Sequence, residues 1–323
     1  MPHEHVLMQT AKEFAISAYT TEMLCYMGQQ KVFEEAAETI KKLTGTEVNA
    51  KQIERVCHHY GEQIELQQQR QMLDPTASPT QYDANEPHYV MMDGGMVLTR
   101  EEGWKEMKLG RIFSAKEPVE VSKNRTYIAN SSYIGHLGSH KDFLEKVEYH
   151  TEALREKIII ADGAKWIWNW AEDFYPDSIQ ILDFYHAKQH LCEFAEHQFK
   201  DTVEKQNWID GQSALLLNDQ IEQVISDLKM IKPTGAKARK IKTALVNYYQ
   251  HNSKRMKYKT FKEKGWLIGS GAIEAAHRHV IQQRMKLSGQ RWTLKGAQQI
   301  ANLRMAYKSN QWHQVHELIN KAA

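Results

Sequence analysis

The sequence has few cysteines and no long apolar run, and both absences narrow the possible classes of protein. Only three cysteines occur among the 323 residues, Cys25, Cys57 and Cys192. Their spacing matches neither a disulfide framework nor a zinc motif, which favours a reducing compartment. No apolar run approaches the ~18 residues needed to cross a bilayer, and the first residues lack the features of a secretory signal. We therefore predict a cytoplasmic protein with no membrane partner.

Acidic residues are scarce in one part of the chain, although the protein as a whole is almost neutral. The total of 42 Lys and Arg against 40 Asp and Glu gives a formal net charge of +2. Between residues 231 and 310, however, eighteen basic residues face only two carboxylates, Glu263 and Glu274. Such a segment is typical of a surface that binds a polyanion. An acid isolated within it requires an explanation, and metal ligation beside a phosphate is one.

The first 73 residues show helical periodicity. Apolar residues from Phe33 to Leu43 predict an amphipathic helix that ends near Gly45, and Asn49 is placed to cap a second helix. Two helices joined by a short glycine-containing turn form either a helix-turn-helix module or a plain helical hairpin. In the first case, the side chains available to DNA are Lys51, Gln52, Arg55 and His59.

The region that follows alternates between strand and helix patterns. Three meandering strands precede a helix, then a fully apolar strand at Lys157–Ala161, a second helix and a last strand at Ser178–Leu182. This order predicts an α/β protein with a mixed sheet.

These patterns divide the chain into six predicted segments. The α/β region forms a core that is interrupted by a helical insertion. The predicted segments are a helical, helix-turn-helix-like module (1–73), a linker (74–87), the first part of this α/β core (88–187), an α-helical insertion that is basic toward its end (188–264), the last part of the α/β core with the helix of Glu274 (265–310) and a C-terminal helix (311–323).

Three acidic residues are the main candidates for chemistry. Asp93 and Asp162 each stand where an apolar strand gives way to glycine, and Glu274 lies in the first turn of a helix after Gly269-Ser270-Gly271. Ligands bind beyond the carboxyl ends of strands in open sheets, and oxygen ligands suit Mg²⁺. Each acid also has a purely structural interpretation, as turn chemistry for the aspartates and as a helix-dipole acid for Glu274. Together, they predict metal-dependent phosphoryl transfer.

The strings that contain these acids resemble a known family of proteins. YVMMDGG, ADGAKWIW, DFYHAKQHL and IGSGAIEAAHRHVIQQRMKLSGQRWTLKGAQQIANLRM are similar to the ISKra family of bacterial insertion-sequence transposases, over about residues 34–305. The resemblance implies a ribonuclease H-like core in which Asp93, Asp162 and Glu274 bind two Mg²⁺ ions, with Mn²⁺ as a substitute. Members of that family generally carry a cysteine-containing, zinc-ribbon-like segment before the helical region. This sequence lacks one, as expected of a shortened copy or of a start placed late.

Two further groups of residues complete the predicted site. Asp183 and His186 match the Asp-x-x-His motif of such transposases, where they would orient a ligand or hold DNA; alternatively, they are a helix cap and a packed histidine. Trp292 either stacks on an unpaired base or is buried in the core. The predicted DNA contacts of the basic region are Lys254, Arg255, Lys257, Arg278, Arg284, Lys286, Arg291 and Trp292.

The sequence therefore predicts a DNA transposase that cleaves and joins strands of an insertion sequence. Its expected partners are the transposon ends and the target DNA, and pairing two ends requires a homo-oligomer. The expected location is the bacterial cytoplasm, at the nucleoid when bound to DNA. The alternatives are a metal-dependent nuclease on the same core, or a decayed or truncated copy that only binds DNA.

Overall fold

The protein is a mixed α/β protein in which helices outnumber strands. The computed structural model describes residues 10–11, 14, 16–77, 82–122 and 125–322. No helix among these residues is long and apolar enough to span a membrane.

The described residues form nine strands. They are β1 (Thr10–Ala11), β2 (Ile16–Ser17), β3 (His88–Thr99), β4 (Gly103–Ser114), β5 (Val119–Ser122), β6 (Arg125–Tyr127), β7 (Ser132–Leu137), β8 (Lys157–Ala161) and β9 (Ile179–Leu182).

The helices precede, separate and follow these strands. They are α1 (Ala18–Gln30), α2 (Phe33–Thr44), α3 (Ala50–Leu73), α4 (His140–Thr151), α5 (Lys165–Phe174), α6 (Phe184–Gln198), α7 (Thr202–Leu217), α8 (Ile221–Met230), α9 (Ala236–Asn252), α10 (Tyr258–Glu263), α11 (Gly271–Ala276), α12 (Gln283–Met285), α13 (Leu294–Lys308) and α14 (Trp312–Ala322). A 3₁₀ turn at Ser253–Arg255 follows α9, and a π-helical turn at His277–Gln282 joins α11 to α12.

The chain forms two compact units, each assembled from separated segments. Unit 1 contains Met1–Asn85, Asp93–Arg155 and Ile273–Ala323, and unit 2 contains Glu86–Met92 and Glu156–Ala272. This division runs across the predicted segments, because β3 contributes its first five residues to unit 2 and the remainder to unit 1.

Five strands form the predicted mixed sheet, in the order β7-β4-β3-β8-β9. β4 and β7 are antiparallel, with Gly110 opposite Ile134. β8 is parallel both to the start of β3 and to β9. The prediction of three strands before α4 is wrong, because β5 and β6 form a separate two-stranded sheet between β4 and β7 in the chain.

The N-terminal helices of unit 1 have the predicted ends. α2 stops at Gly45, which has a φ of 73°, a left-handed conformation that glycine adopts without strain. Asn49 caps α3, since its Oδ1 accepts a hydrogen bond from Gln52 N at 2.8 Å. The apolar face of α3 is buried, including Ile53 and Val56. At Gly61 an added Cβ would lie 2.2 Å from Gln299 O, so α3 packs closely on α13.

Unit 2 is built on β8 and the helices that follow it. Every residue of β8 is buried, as the continuous apolar run predicts for a central parallel strand. Residues 188–264 contain only helical elements among regular structures, as the sequence indicates. Tyr249 of α9 is buried and donates its hydroxyl to Ala187 O at 2.8 Å, which fastens α9 to α6.

Candidate active site

The candidate site begins at the carboxyl ends of parallel strands in unit 2. The last pair between β8 and β9 joins Ala161 to Leu182, and the next residues are Asp162 and Asp183. Two aspartates therefore leave the sheet at equivalent positions of neighbouring strands. Ligands of open α/β sheets commonly bind at this edge.

Asp183 is buried, with 1% of its surface exposed, and both of its carboxylate oxygens accept hydrogen bonds. Oδ1 accepts from Tyr185 N at 2.6 Å and from His186 N at 3.2 Å, which caps the start of α6. Oδ2 accepts from Ser270 N at 3.0 Å and from the Ser270 hydroxyl. The capping interpretation of Asp183 is therefore correct, and the same side chain also anchors a distant segment.

The anchored segment is the glycine-rich run that precedes α11. Ile268 O accepts from Phe184 N at 2.9 Å. At Gly269 an added Cβ would lie 2.7 Å from the Tyr185 ring, so this close approach requires glycine. Ser270 thus belongs to the candidate site, although the sequence did not predict a role for it.

Asp162 has a more open environment than Asp183. The residue is half-buried, and its Oδ1 accepts from Ala164 N at 2.9 Å. Its backbone carbonyl accepts the indole N–H of Trp168 at 2.7 Å, which fixes the turn into α5. This arrangement holds the backbone of Asp162 while leaving part of the carboxylate at the surface.

Tyr248 and His190 lie beside Asp162. At Gly163 an added Cβ would lie 2.3 Å from Cε2 of Tyr248, so the ring packs directly on this turn. The rings of His190 and Tyr248 are 4.7 Å apart. Burial, followed by the charges of Asp162 and Asp183, raises the pKa of the Tyr248 hydroxyl, which keeps it protonated.

Two of the three histidines of α6, His186 and His190, are near this turn. Burial lowers the pKa of His190, and the nearby His186 lowers it further, so a neutral ring is favoured. The centroids of the His186 and His190 rings are 6.1 Å apart. His186 is half-buried, and its backbone N–H completes the cap made by Asp183.

Asp93 lies within β3, and the prediction that a strand ends there is wrong, because β3 continues through the glycines to Thr99. Asp93 is the first residue of the part of β3 that belongs to unit 1. It lies two residues beyond Met91, which pairs with Ile160 of β8. Its Oδ1 accepts from Gly94 N at 2.7 Å, and the carboxylate is 39% exposed. The His277 ring lies beside Asp93: its Nε2 is 3.1 Å from Asp93 O and 3.8 Å from Asp93 Oδ2.

His277 belongs to the candidate site, although the sequence did not predict a role for it. Its side chain is buried, and at Gly95 an added Cβ would lie 2.7 Å from its Nδ1. The ring therefore packs on the backbone of β3 immediately after Asp93. The only signal in the sequence was its place three residues after Glu274 in GSGAIEAAHRH.

Glu274 is exposed and lies in the first turn of α11. The helix predicted to carry Glu274 spans 271–285, with a π-helical turn at its centre. Such wide turns are frequent at functional sites because the extra residue redirects side chains.

The donor chemistry of these acids is suited to a hard divalent cation. Asp93 and Asp162 are partly exposed residues, and carboxylate oxygens are ligands that Mg²⁺ and Mn²⁺ prefer. In the described part of the chain, no set of three or more His, Cys, Asp or Glu side chains is arranged around one cation position. Asp183 is not a suitable ligand, because both of its oxygens are already used.

The predicted DNA contacts of unit 1 are divided between surface and core. Lys51 and Arg55 are exposed on α3. Arg278, Lys286 and Arg291, which lie later in the chain, are exposed as well. Lys51 also pairs with Glu54 at 2.7 Å. These exposed cations can reach a phosphate backbone without rearrangement.

Arg284 and Trp292 are both buried in unit 1, with 1% and 7% of their surfaces exposed. The Trp292 indole donates to Met285 O at 3.0 Å, and the Arg284 guanidinium lies 4.9 Å from the Trp292 ring centroid. The core interpretation of Trp292 is therefore correct, and base stacking by this side chain is excluded in this conformation.

The predicted DNA contacts of unit 2 surround a groove of about 740 Å³. Lys254 and Lys257 are exposed on its wall, together with Lys264. Arg255 is 5% exposed, and it pairs with Glu172 and donates to Gln180 Oε1 at 2.8 Å. The lysines can therefore contact a ligand, whereas Arg255 supports the wall.

Comparison with known proteins identifies the family of this chain. Residues 23–321 match the family described as "Uncharacterised protein family (UPF0236)", and the chain belongs to that family. Its members are commonly found among transposase-related proteins. None of the curated proteins matches the sequence.

Proposed function

We propose that the protein is a DNA transposase of the ISKra type, built on a ribonuclease H-like core. The observation that carries the proposal is the register of the parallel strands. Met91 of β3 pairs with Ile160 of β8. Asp93 stands two residues after Met91, and Asp162 stands two residues after Ile160. The meander of β3, β4 and β7, with β8 and β9 added beyond β3, supports the same core.

Chain connectivity supports Glu274 as the third member of the proposed set. Ser270 is bonded to Asp183 at the end of β9, and Glu274 follows it by four residues. Four residues span at most about 14 Å, so the covalent chain limits how far Glu274 lies from this edge. The hydrogen bonds of Asp183 thereby position the segment that leads to the acid.

In this proposal, Asp93, Asp162 and Glu274 hold two Mg²⁺ ions, which Mn²⁺ can replace. When bound, the ions supply the positive charge that activates an attacking oxygen and stabilises the leaving oxygen of a phosphodiester. The other residues act through position. His277 holds the backbone of Asp93, Trp168 holds the backbone of Asp162, and Asp183 holds the glycine-rich segment.

DNA is the proposed partner because of the exposed cations in each unit. Contacts of Lys and Arg with phosphates fix position without reading sequence. In unit 2 the proposed contacts are Lys254 and Lys257 along the groove. In unit 1 they are Lys51 and Arg55 on the helix-turn-helix-like pair, and Arg278, Lys286 and Arg291 near the C-terminus. Pairing of two DNA ends requires a homo-oligomer, which we place at the bacterial nucleoid.

The test is a strand-transfer assay with purified full-length protein and Mg²⁺ or Mn²⁺. The substrates are a pre-cut DNA bearing the ends of the encoding element and a circular target. We expect joined product, and we expect Asp93→Asn and Glu274→Gln each to reduce it by at least about 100-fold, as loss of a metal ligand should.

Glu145→Gln and Asp177→Asn are the matched controls, because both residues are exposed and lie outside the proposed site. Cleavage without joining would indicate a nuclease on the same core. Mg²⁺-independent binding with neither cleavage nor joining would indicate a protein that only binds DNA, and would refute the proposed enzyme.

A further inference from the structure

A cavity in unit 1 has the composition of an anion-binding site. It measures about 330 Å³ and lies between the start of α2, residues 284–293 and Arg100. We refer to it as the Arg284 cavity. Three arginines line it, Arg100, Arg284 and Arg291.

Arg284 is a buried cation that forms no ion pair within the described residues, although the charges of Glu34 and Glu35 act on it from nearby. Its guanidinium lies 4.9 Å from the ring centroids of both Phe33 and Trp292. Nε donates to Gly28 O at 3.0 Å. Nη2 has no hydrogen-bond partner within the described residues. Burial lowers the pKa of Arg284 to about 10, so the group remains charged at neutral pH. An unpaired buried charge is costly, which favours a bound anion as its partner.

The neighbouring Gln290 does not neutralise that charge. With its amide oriented so that both groups are satisfied, Gln290 accepts from Arg284 Nη1 at 3.2 Å and donates to Arg284 O at 2.8 Å. A neutral amide fixes the guanidinium plane without supplying a negative charge. Nη2 therefore remains the donor that a ligand could use.

Two helix N-termini also meet at the cavity. Val32, the N-cap residue of α2, and Thr293, the N-cap residue of α13, both line it. Thr293 Oγ1 accepts from Gly296 N at 3.0 Å, so α13 is capped by its own side chain. No side chain caps α2, whose first N–H groups are therefore available to an anion.

The two exposed arginines are held in place by backbone pairing. Arg100 N donates to Trp292 O at 2.8 Å, and Trp292 N donates to Leu98 O at 3.1 Å. The Arg100 Nε also donates to Arg291 O at 3.3 Å. The pairing places residues 100 and 291 side by side at the cavity, although they are far apart in the sequence.

Two carboxylates, those of Glu34 and Glu54, also line the cavity and offset part of the positive charge of the arginines. Glu54 is paired with Lys51 at 2.7 Å, which offsets its charge. Glu34 is exposed in the first turn of α2, where it competes with an external anion for the helix N-terminus.

We propose that the Arg284 cavity binds a phosphate group of a nucleic acid, through Arg100, Arg291, the guanidinium of Arg284 and the N-terminus of α2. The phosphate chemistry follows from the cavity itself, whereas DNA as its source rests on the proposed function. The phosphate comes from a 5′ end or from within the backbone, and these two sources are separable by experiment.

The test measures binding of two single-stranded oligonucleotides that differ only in a 5′-phosphate, with EDTA present so that no divalent cation contributes. The variants are Arg100→Gln with Arg291→Gln in one chain, because both residues are exposed. Thermal unfolding of the double variant checks that the fold is retained. The matched control is Arg155→Gln, also exposed in unit 1. Loss of two charge-assisted contacts should weaken binding by at least about tenfold.

A loss confined to the 5′-phosphorylated strand supports a terminal phosphate, and an equal loss for both strands supports a backbone phosphate. Glu34→Gln should tighten binding, because it removes a competing charge. Affinities of the double variant that match those of Arg155→Gln for both strands would overturn the proposal. EDTA removes the cation that the proposed catalysis requires, so a failure of that catalysis leaves this binding result intact.

Discussion

Asp162 and Asp183 occupy equivalent places at the ends of neighbouring strands, yet their environments are opposite. Asp183 is buried and uses both carboxylate oxygens in hydrogen bonds to α6 and Ser270. Asp162 is half-buried, and Oδ1 accepts a single bond from Ala164 N. A carboxylate that is fully bonded holds structure, whereas one with exposed oxygen can bind a cation. The sequence context of the two residues is similar. Their burial and the number of hydrogen-bonded carboxylate oxygens distinguish them.

Two buried arginines, one in each unit, show the same contrast. Arg255 of unit 2 donates to Gln180 and Asn252 and pairs with Glu172. Arg284 of unit 1 has two aromatic neighbours and an unpaired Nη2 among the described residues. The first guanidinium is satisfied by the protein itself, whereas we propose that a phosphate satisfies the second.

The largest expected effect is the loss of activity on removing one charge at Asp162. Asp162→Asn should reduce metal-dependent strand transfer by at least about 100-fold, because an amide is a poor ligand for Mg²⁺. The unfolding midpoint should change little, since Asn also accepts the bond from Ala164 N. Activity and thermal unfolding of the same preparation give both numbers. A fully active variant would remove Asp162 from the site.

Asp183→Ala should instead act on stability. Its removal leaves the N–H groups of Tyr185, His186 and Ser270 without their acceptor. Loss of a helix cap together with buried unpaired donors should cost about 3–5 kcal/mol of unfolding free energy. Urea denaturation measures the loss, with the exposed Asp177→Ala as control. Unchanged stability would show that Asp183 is not the anchor described above.

A methyl group at residue 163 should disturb the turn that carries Asp162. In Gly163→Ala, the new Cβ would lie 2.3 Å from the Tyr248 ring. We expect a loss of about 1–3 kcal/mol, as for other overpacked positions. Gly211→Ala is the matched control, because Gly211 lies in α7 with nothing within 4 Å of an added Cβ, and it should be neutral or stabilising. Equal effects of the two substitutions would contradict the close packing of Tyr248.

The smallest expected effect comes from the Ser270 hydroxyl. Ser270→Ala removes one of the bonds to Asp183 but retains the backbone N–H at 3.0 Å. The expected cost is about 1–2 kcal/mol. A double-mutant cycle with Asp183→Asn isolates the interaction. Additive losses would mean that the two side chains do not stabilise the fold together.

Much of the fold was predictable because it depends on local patterns. The ends of α2 and α3 follow from Gly45 and Asn49, whose conformation and capping bond involve only nearby residues. β8 was recognisable from its apolar run. The division of residues 125–137 into two strands was not predictable, because β6 and β7 pair with different partners and pairing is set by distant segments.

The candidate site was predictable in its positions but not in its contacts. Asp162 and Asp183 were placed at strand ends correctly, since the change from apolar residues to Asp is visible in the chain. The roles of His277 and Tyr248 were missed, because each packs on a glycine far away in the sequence, Gly95 and Gly163 respectively. No local pattern encodes such a contact.

The sequence by itself determined the ends of α2 and α3, the buried strand β8, the aspartates that follow β8 and β9, and where the positive charge is concentrated. These properties follow from periodicity, capping and composition, which act over a few residues. The tertiary structure alone decided which of two similar aspartates is fully bonded, and that Trp292 and Arg284 are buried together. Burial and the supply of hydrogen-bond partners depend on segments that meet only when the chain folds.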